Sequence, residues 1–276
     1  KPTLVLACST CYQVFKQNLP DLNIISIWEI YDQYGLPETT NSKKGAVVSI
    51  HDPCTIRHEP QIHESVRRLV RQAGYQIEEL PMNREKTSCC SYGGDVWLAN
   101  RELSDKVIER RIAESGNDYL TYCTMCRDFF ASKGKPTLHM LDLFYEDDLG
   151  ARAARRGPGY SERHENRARL KKKMLKEIWR ETMPEQSKIE GIQLILSDEV
   201  RRVLEDRLIL VEDIQQVIEY AERTGYKLLH PQTGRFLAHY KPSQITYWVE
   251  YTPHEDAFEV YNAYSHRMEI AEELKS

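Results

Sequence analysis

Cysteine supplies the chemistry this chain can offer, and its seven cysteines all precede residue 127. They are Cys8, Cys11, Cys54, Cys89, Cys90, Cys123 and Cys126. Cys8 and Cys11 bound one C-x-x-C, Cys123 and Cys126 bound another, and Cys89 and Cys90 are adjacent in "EKTSCCSYGGDVW". An odd count, absent from the last 150 residues, is not the pattern of a secreted disulfide scaffold. It points to a metal or redox site in one domain and to a reducing, cytoplasmic location. Thiolates are soft ligands that select iron–sulfur clusters, zinc or copper(I). Gathered together they need protons or cations, since two like charges about 4 Å apart repel by roughly 4 kcal/mol at an effective dielectric of ~20.

The elements that must position these thiols alternate along residues 1 to about 145. "TLVLA" (3–7), "AVVSI" (46–50), "YLTYC" (119–123) and "PTLHML" (136–141) read as strands. Residues 60–73 read as a helix with Ile62, Val66, Leu69 and Val70 on one face, stopped by Gly74. Residues 95–114 carry Val96, Leu103, Val107, Ile108 and Ile112 at helical spacing. This alternation predicts an α/β fold on a Rossmann-like, mainly parallel sheet. Cys8, Cys54 and Cys123 follow strands, and so are expected at one carboxyl edge, where crevices form. Both C-x-x-C pairs are expected at helix starts, which lower a thiol's pKa. Strand, C-x-x-C, helix is also the arrangement of an exchange dithiol, so Cys8 and Cys11 admit that reading.

The order Cys54, a gap of 34, Cys89–Cys90, a gap of 32, then Cys123-x-x-Cys126 resembles the cysteine-rich CCG domain. That family includes the B-type subunits of heterodisulfide reductases and the iron–sulfur subunits of glycolate and lactate oxidases. His51, Asp52, Pro53 and Cys54 match its "HDPC", "SCCSYGGD" resembles its CCG-x-GG turn, and "YCTMC" resembles its final C-x-x-C. The resemblance covers about residues 44–145. It implies a 4Fe–4S-type cluster, non-cubane in heterodisulfide reductases, held by Cys54, Cys89, Cys90, Cys123 and Cys126. Gly93 and Gly94 would let the backbone pass close to it. "LVLACSTCYQVFK" looks like the closing C-x-x-C of a preceding repeat, which makes residues 1–43 that repeat's tail and Cys8 and Cys11 half of its site. One departure is Ser91 where the family has Gly, at a position where a positive φ suits Gly far better than Ser. Zinc held by four of the cysteines is the alternative, with a fifth in surplus. In that case the chain is a structural or interaction module. His51 reads as a structural hydrogen-bonding residue, and His58, His63 and His139 as surface or edge positions.

The remainder is of another kind. Residues 146–190 form a basic helical linker, a solvated face or a dock for an acidic partner. Residues 191–276 read as a smaller α+β domain. It has two helices, the first capped by Ser197 and Asp198, then an antiparallel meander with turns at "PQTG", "KPSQ" and "TPHED". Tyr247, Trp248, Tyr251, Tyr261 and Tyr264 are expected to form a sheet face packed on the two helices. "SHRMEI" (265–270), with His266 and Arg267, supports no catalytic assignment. The net charge of −4 gives no reason to expect a nucleic-acid partner, and no apolar run is long enough to span a membrane. Neither a dinucleotide fingerprint nor a P-loop occurs. The chain begins without Met almost directly in an apolar run. It is therefore expected to be the C-terminal part of a longer oxidoreductase, served by a flavin- or ferredoxin-containing module in the same chain or a separate subunit.

Overall fold

The computed structural model describes residues 2–36, 45–145, 148–180 and 192–267. The expected first-repeat tail (1–43) and basic linker (146–190) therefore fall partly outside the described residues; 268–276, which includes the second half of "SHRMEI", lies wholly outside them. The chain divides into two compact units, residues 1–157 and 158–276.

The first unit opens with strand β1 (Thr3–Leu6), helix α1 (Ser9–Asn18), β2 (Asn23–Ser26) and α2 (Ile27–Tyr34). It continues with β3 (Val47–His51), α3 (Pro60–Gln72), β4 (Gln76–Glu79), α4 (Val96–Ala99) and α5 (Arg101–Ile112). β5 (Asp118–Thr121), α6 (Thr124–Ser132), β6 (Thr137–His139), α7 (Asp142–Tyr145) and α8 (Leu149–Ala154) complete it. Four strands form a parallel sheet in the order β4-β3-β5-β6. Ile62, Val66, Leu69 and Val70 lie buried along one face of α3 and pack with Val48 and Ile50 of β3 and Leu120 of β5. The α/β expectation with a parallel sheet holds.

Three local expectations change. β1 does not join that sheet but pairs in parallel with β2 alone, so Cys8 follows a different sheet from Cys54 and Cys123. The 95–114 helix is two helices. Asn100 leaves helical geometry and caps α5 by accepting from the Leu103 amide at 3.0 Å, and Leu103 lies exposed. His63 is buried on α3, not at the surface.

The second unit contains α9 (Tyr160–Met174), continued by a π-helical turn (Leu175–Trp179), then β7 (Gln193–Leu196), α10 (Asp198–Arg207) and α11 (Val211–Thr224). β8 (Lys227–Leu229), β9 (Phe236–Tyr240), β10 (Thr246–His254) and β11 (Ala257–His266) follow. β8 to β11 pair antiparallel in sequence, as the turn signals require, and β7 adds in parallel beside β11. Ser197 caps α10 by accepting from the Val200 amide at 3.2 Å. The aromatic residues divide between faces. Tyr251 is buried with Val217, Ile218 and Ala221 of α11. Trp248, the next position but two, stacks instead between His239 (4.5 Å) and Tyr264 (5.9 Å). Period-two alternation imposes this split, so one helix-packed aromatic face is incorrect. Among the described residues no helix is long and apolar enough to cross a membrane.

Candidate metal centre

β3 and β5 are neighbours in parallel register, with His51 opposite Thr121 at their carboxyl ends. Beyond β3 the chain turns through Asp52 and Pro53 into a 3-10 turn, Cys54–Ile56. Beyond β5 it reaches Cys123, the N-cap of α6, with Cys126 in the first helical turn. Two cysteine segments therefore leave one sheet edge side by side, as strand ends in α/β sheets allow.

The third segment, around Cys89 and Cys90, is irregular and needs anchors. Asp52 is the anchor behind it. Its carboxylate accepts two bonds from Arg67 (3.0 and 2.9 Å), one from the Tyr122 hydroxyl (2.7 Å) and one from the Arg84 amide (2.7 Å). Burial would raise its pKa, but Arg67, Tyr122 and Arg84 outweigh that and hold it at about 2. The Thr87 hydroxyl donates to the Asp52 carbonyl at 2.8 Å. Arg57 bridges two of the cysteine segments, donating to the Cys54 carbonyl (3.2 Å) and the Thr87 carbonyl (3.5 Å). The Ser91 amide donates to Cys89 Sγ at 3.2 Å. Ser91 adopts a φ of 67°, the left-handed turn that Gly fills more readily, and its hydroxyl is tied to the Ser104 carbonyl at 2.7 Å. Ser91 thus adopts the left-handed turn in this chain. Of the two glycines, Gly94 needs its positive φ of 65° and Gly93 does not; a Cβ at either would meet open space.

These anchors bring five thiols close together. The Cys54 thiol donates to Cys89 Sγ at 4.0 Å. Cys90 lies beside Cys89, and Cys126 beside both Cys90 and Cys123. The neighbouring thiols shift one another's pKa. The Cys54 and Cys90 thiols push Cys89 far below the ordinary thiol range. The Cys126 thiol, helped by α6 amides and by Ser9, holds Cys123 at about 6. Cys54 is raised by Cys89 and by burial, and Cys126 by Cys123, Cys90 and burial. Cys90 is lowered by Cys126 but raised more by Cys89 and burial, to about 12. Cys90 and Cys126 sit in an apolar cluster with Leu80, Ile108, Tyr119 and Phe130. All seven cysteines are free thiols.

Cys8 and Cys11 stand apart from this group. Both are exposed, and Cys8 caps α1, accepting from the Cys11 amide at 3.5 Å. Helix α1 nevertheless packs on the 3-10 turn that carries Cys54, and Ser9 between the two cysteines lies beside Cys123.

The histidine closing β3 has a larger place than its sequence reading as a structural residue. His51 is fully buried, and its ring meets Phe130 edge-on at 4.8 Å. A ring nitrogen of His51 and the sulfurs of Cys90 and Cys126 lie within 4.8 Å of one another. Arg111 Nε donates to His51 Nδ1 at 3.3 Å. Guanidinium has no acceptor, so Nδ1 holds the lone pair and the neutral ring carries its proton on Nε2. Burial first, then the charge of Arg111, lower His51 to about 3 and keep it neutral. Nothing in the sequence links Arg111 to His51, 60 residues away.

Comparison of the chain with protein-family models, with curated proteins and with solved structures found no match.

Proposed function

We propose that Cys54, Cys89, Cys90, Cys123 and Cys126 hold an iron–sulfur cluster of the 4Fe–4S type, and that the first unit is an electron-transfer module of a heterodisulfide-reductase-like oxidoreductase. The observation that carries this reading is the gathering of five thiols, each beside at least one other, at one sheet edge. Ligation displaces the thiol protons. When bound, such a group stores and passes single electrons at a potential set by burial and hydrogen bonds to sulfur.

The chain's own residues serve that use in separable ways. Adjacent Cys89 and Cys90 present sulfurs to different neighbours, the first to Cys54 and the second to Cys126, and so join the two strand-end segments. The Asp52–Arg67 pair fixes the backbone that carries Cys54. Leu80, Tyr119 and Phe130 exclude water behind Cys90 and Cys126. Cys54, Cys89 and Cys123 remain partly exposed, which leaves one side open toward a redox partner. A flavin- or ferredoxin-containing module fits that role, and free thiols suit a reducing, cytoplasmic setting. The exposed Cys8 and Cys11 suit half of a second site.

His51, Cys90 and Cys126 would by number and type suit zinc, which is the second reading. A zinc-bound histidine, however, donates its other N–H, whereas His51 Nδ1 accepts one. Four-coordinate zinc would also leave thiols of the chain unused.

The test is iron, acid-labile sulfide and zinc in anaerobically prepared protein, with Cys89→Ser alongside. Iron and sulfide of about four each per chain, lost in the variant, support the proposal. About one zinc per chain without sulfide overturns it.

A further inference from the structure

His51 is the buried group that the five-thiol arrangement leaves over. Its Nδ1 is committed to Arg111. Its Nε2 is buried with no hydrogen-bond partner. A buried N–H left unpaired is costly, and native structures rarely keep one without a use. The sulfurs of Cys90 and Cys126 lie within 4.8 Å of a ring nitrogen of His51. Arg111 is itself buried and held from the other side by Glu114, so the ring cannot readily turn over. Phe130 packs edge-on against it.

We propose that His51 is a positioning residue whose Nε2–H is a fixed hydrogen-bond donor to the sulfurs around Cys90 and Cys126, raising the reduction potential of the cluster held there. The inference rests on the iron–sulfur reading. Its physical basis is that reduction adds negative charge to a cluster, and an N–H aimed at sulfur stabilises the more negative state. Arg111 acts through His51. It supplies the donor that fixes the tautomer, and its cationic charge lies directly behind the ring.

The experiment compares wild-type protein with His51→Leu and His51→Gln, each analysed anaerobically for iron and sulfide and then titrated for midpoint potential by visible absorption. Leu removes the donor; Gln places an amide N–H where Nε2 stood. The expected result is unchanged iron and sulfide in all three, with the His51→Leu potential lowered by a tenfold shift in the reduction equilibrium, about 59 mV for one electron. His51→Gln should recover at least half of that shift. A His51→Leu protein with full cluster content and the wild-type potential overturns the inference while leaving the cluster reading intact. Loss of iron from both variants with an unchanged far-UV spectrum also overturns it, because His51 would then be a ligand. Wild-type protein without iron and sulfide removes the cluster reading and the inference with it. If His51→Leu fails to fold, the tautomer is read in wild-type protein by long-range proton–nitrogen NMR on labelled histidine. A proton on Nδ1 refutes the donor role.

Discussion

Ser91 is where the thiol loop is most open to a quantitative test. Its backbone is left-handed, with φ of 67°. Its buried hydroxyl donates to the Ser104 carbonyl at 2.7 Å, and the Ser104 hydroxyl returns a bond to the Ser91 carbonyl at 3.2 Å. A non-glycine residue in this conformation costs about 1–2 kcal/mol. Removing the hydroxyl leaves buried partners at Ser104 short of a bond, at about 1–3 kcal/mol. Ser91→Ala keeps the strain and loses the hydroxyl. Ser91→Gly loses the hydroxyl but relieves the strain, offset in part by about 0.4–1 kcal/mol of extra freedom in the unfolded chain. Ser91→Gly is therefore expected to be more stable than Ser91→Ala by roughly 0.5–1 kcal/mol, with wild type above both. Ser91→Val, β-branched at a positive φ, should be the least stable. Urea unfolding of the full chain reads these differences, followed by Trp28 and Trp97 fluorescence in a Trp179→Phe, Trp248→Phe background. At a slope of about 1–3 kcal/mol/M the Gly and Ala midpoints separate by several tenths molar. Ala equal to or above Gly would refute the argument, because the left-handed turn would then carry no strain.

Three further outcomes follow from the first unit. Arg67→Ala leaves Asp52 and Glu79 facing one another without their shared guanidinium, and should cost about 3–5 kcal/mol in urea unfolding, as breaking a buried pair does. His139 is held below its usual 6.5 first by burial, so the unfolded chain takes up the proton more readily than the native one. Its contribution to stability is complete above about pH 6.5 and is lost as pH falls below that, at no more than ~1.4 kcal/mol per pH unit, until the native ring also titrates. His139→Gln should flatten that part of a stability–pH profile; an unchanged slope would count against burial as the cause. Cys8→Ser and Cys11→Ser should leave the iron and sulfide content at the wild-type level, while Cys54→Ser should lower it; equal losses would place the first C-x-x-C inside the five-thiol site.

The parts of the fold that could be read in advance were those where burial has a single period. α3 was legible because Ile62, Val66, Leu69 and Val70 recur at helical spacing, and each is buried. β4 was not, because "QIEE" is an exposed edge strand with one half-buried apolar residue, and nothing in its pattern separates it from a loop. The break at Asn100 was missed for a related reason. Val96 and Leu103 keep helical phase across it, while Asn100 uses its side chain to start a new helix. β1 read as a strand correctly and was assigned to the wrong sheet, since pattern fixes an element's type and leaves its neighbours open.

The site shows the same division at the level of atoms. Strand-end position was enough to place Cys54 and Cys123 together, because turns that follow adjacent parallel strands bring their first residues together, while Cys89 and Cys90 joined them only through the family resemblance. Spacing says nothing of which thiol lies beside which, or of the direction in which an imidazole points. Those depend on contacts such as Arg111 to His51 and Ser91 to Ser104, made between residues of ordinary type with no motif of their own. The proton on His51 is the clearest instance. A histidine beside two cysteines looks like a third metal ligand until the guanidinium behind it is counted. Because that guanidinium has only protons to give, it takes the lone pair of Nδ1 and leaves the ring's N–H on Nε2, which makes the proposed role that of a donor and not a ligand.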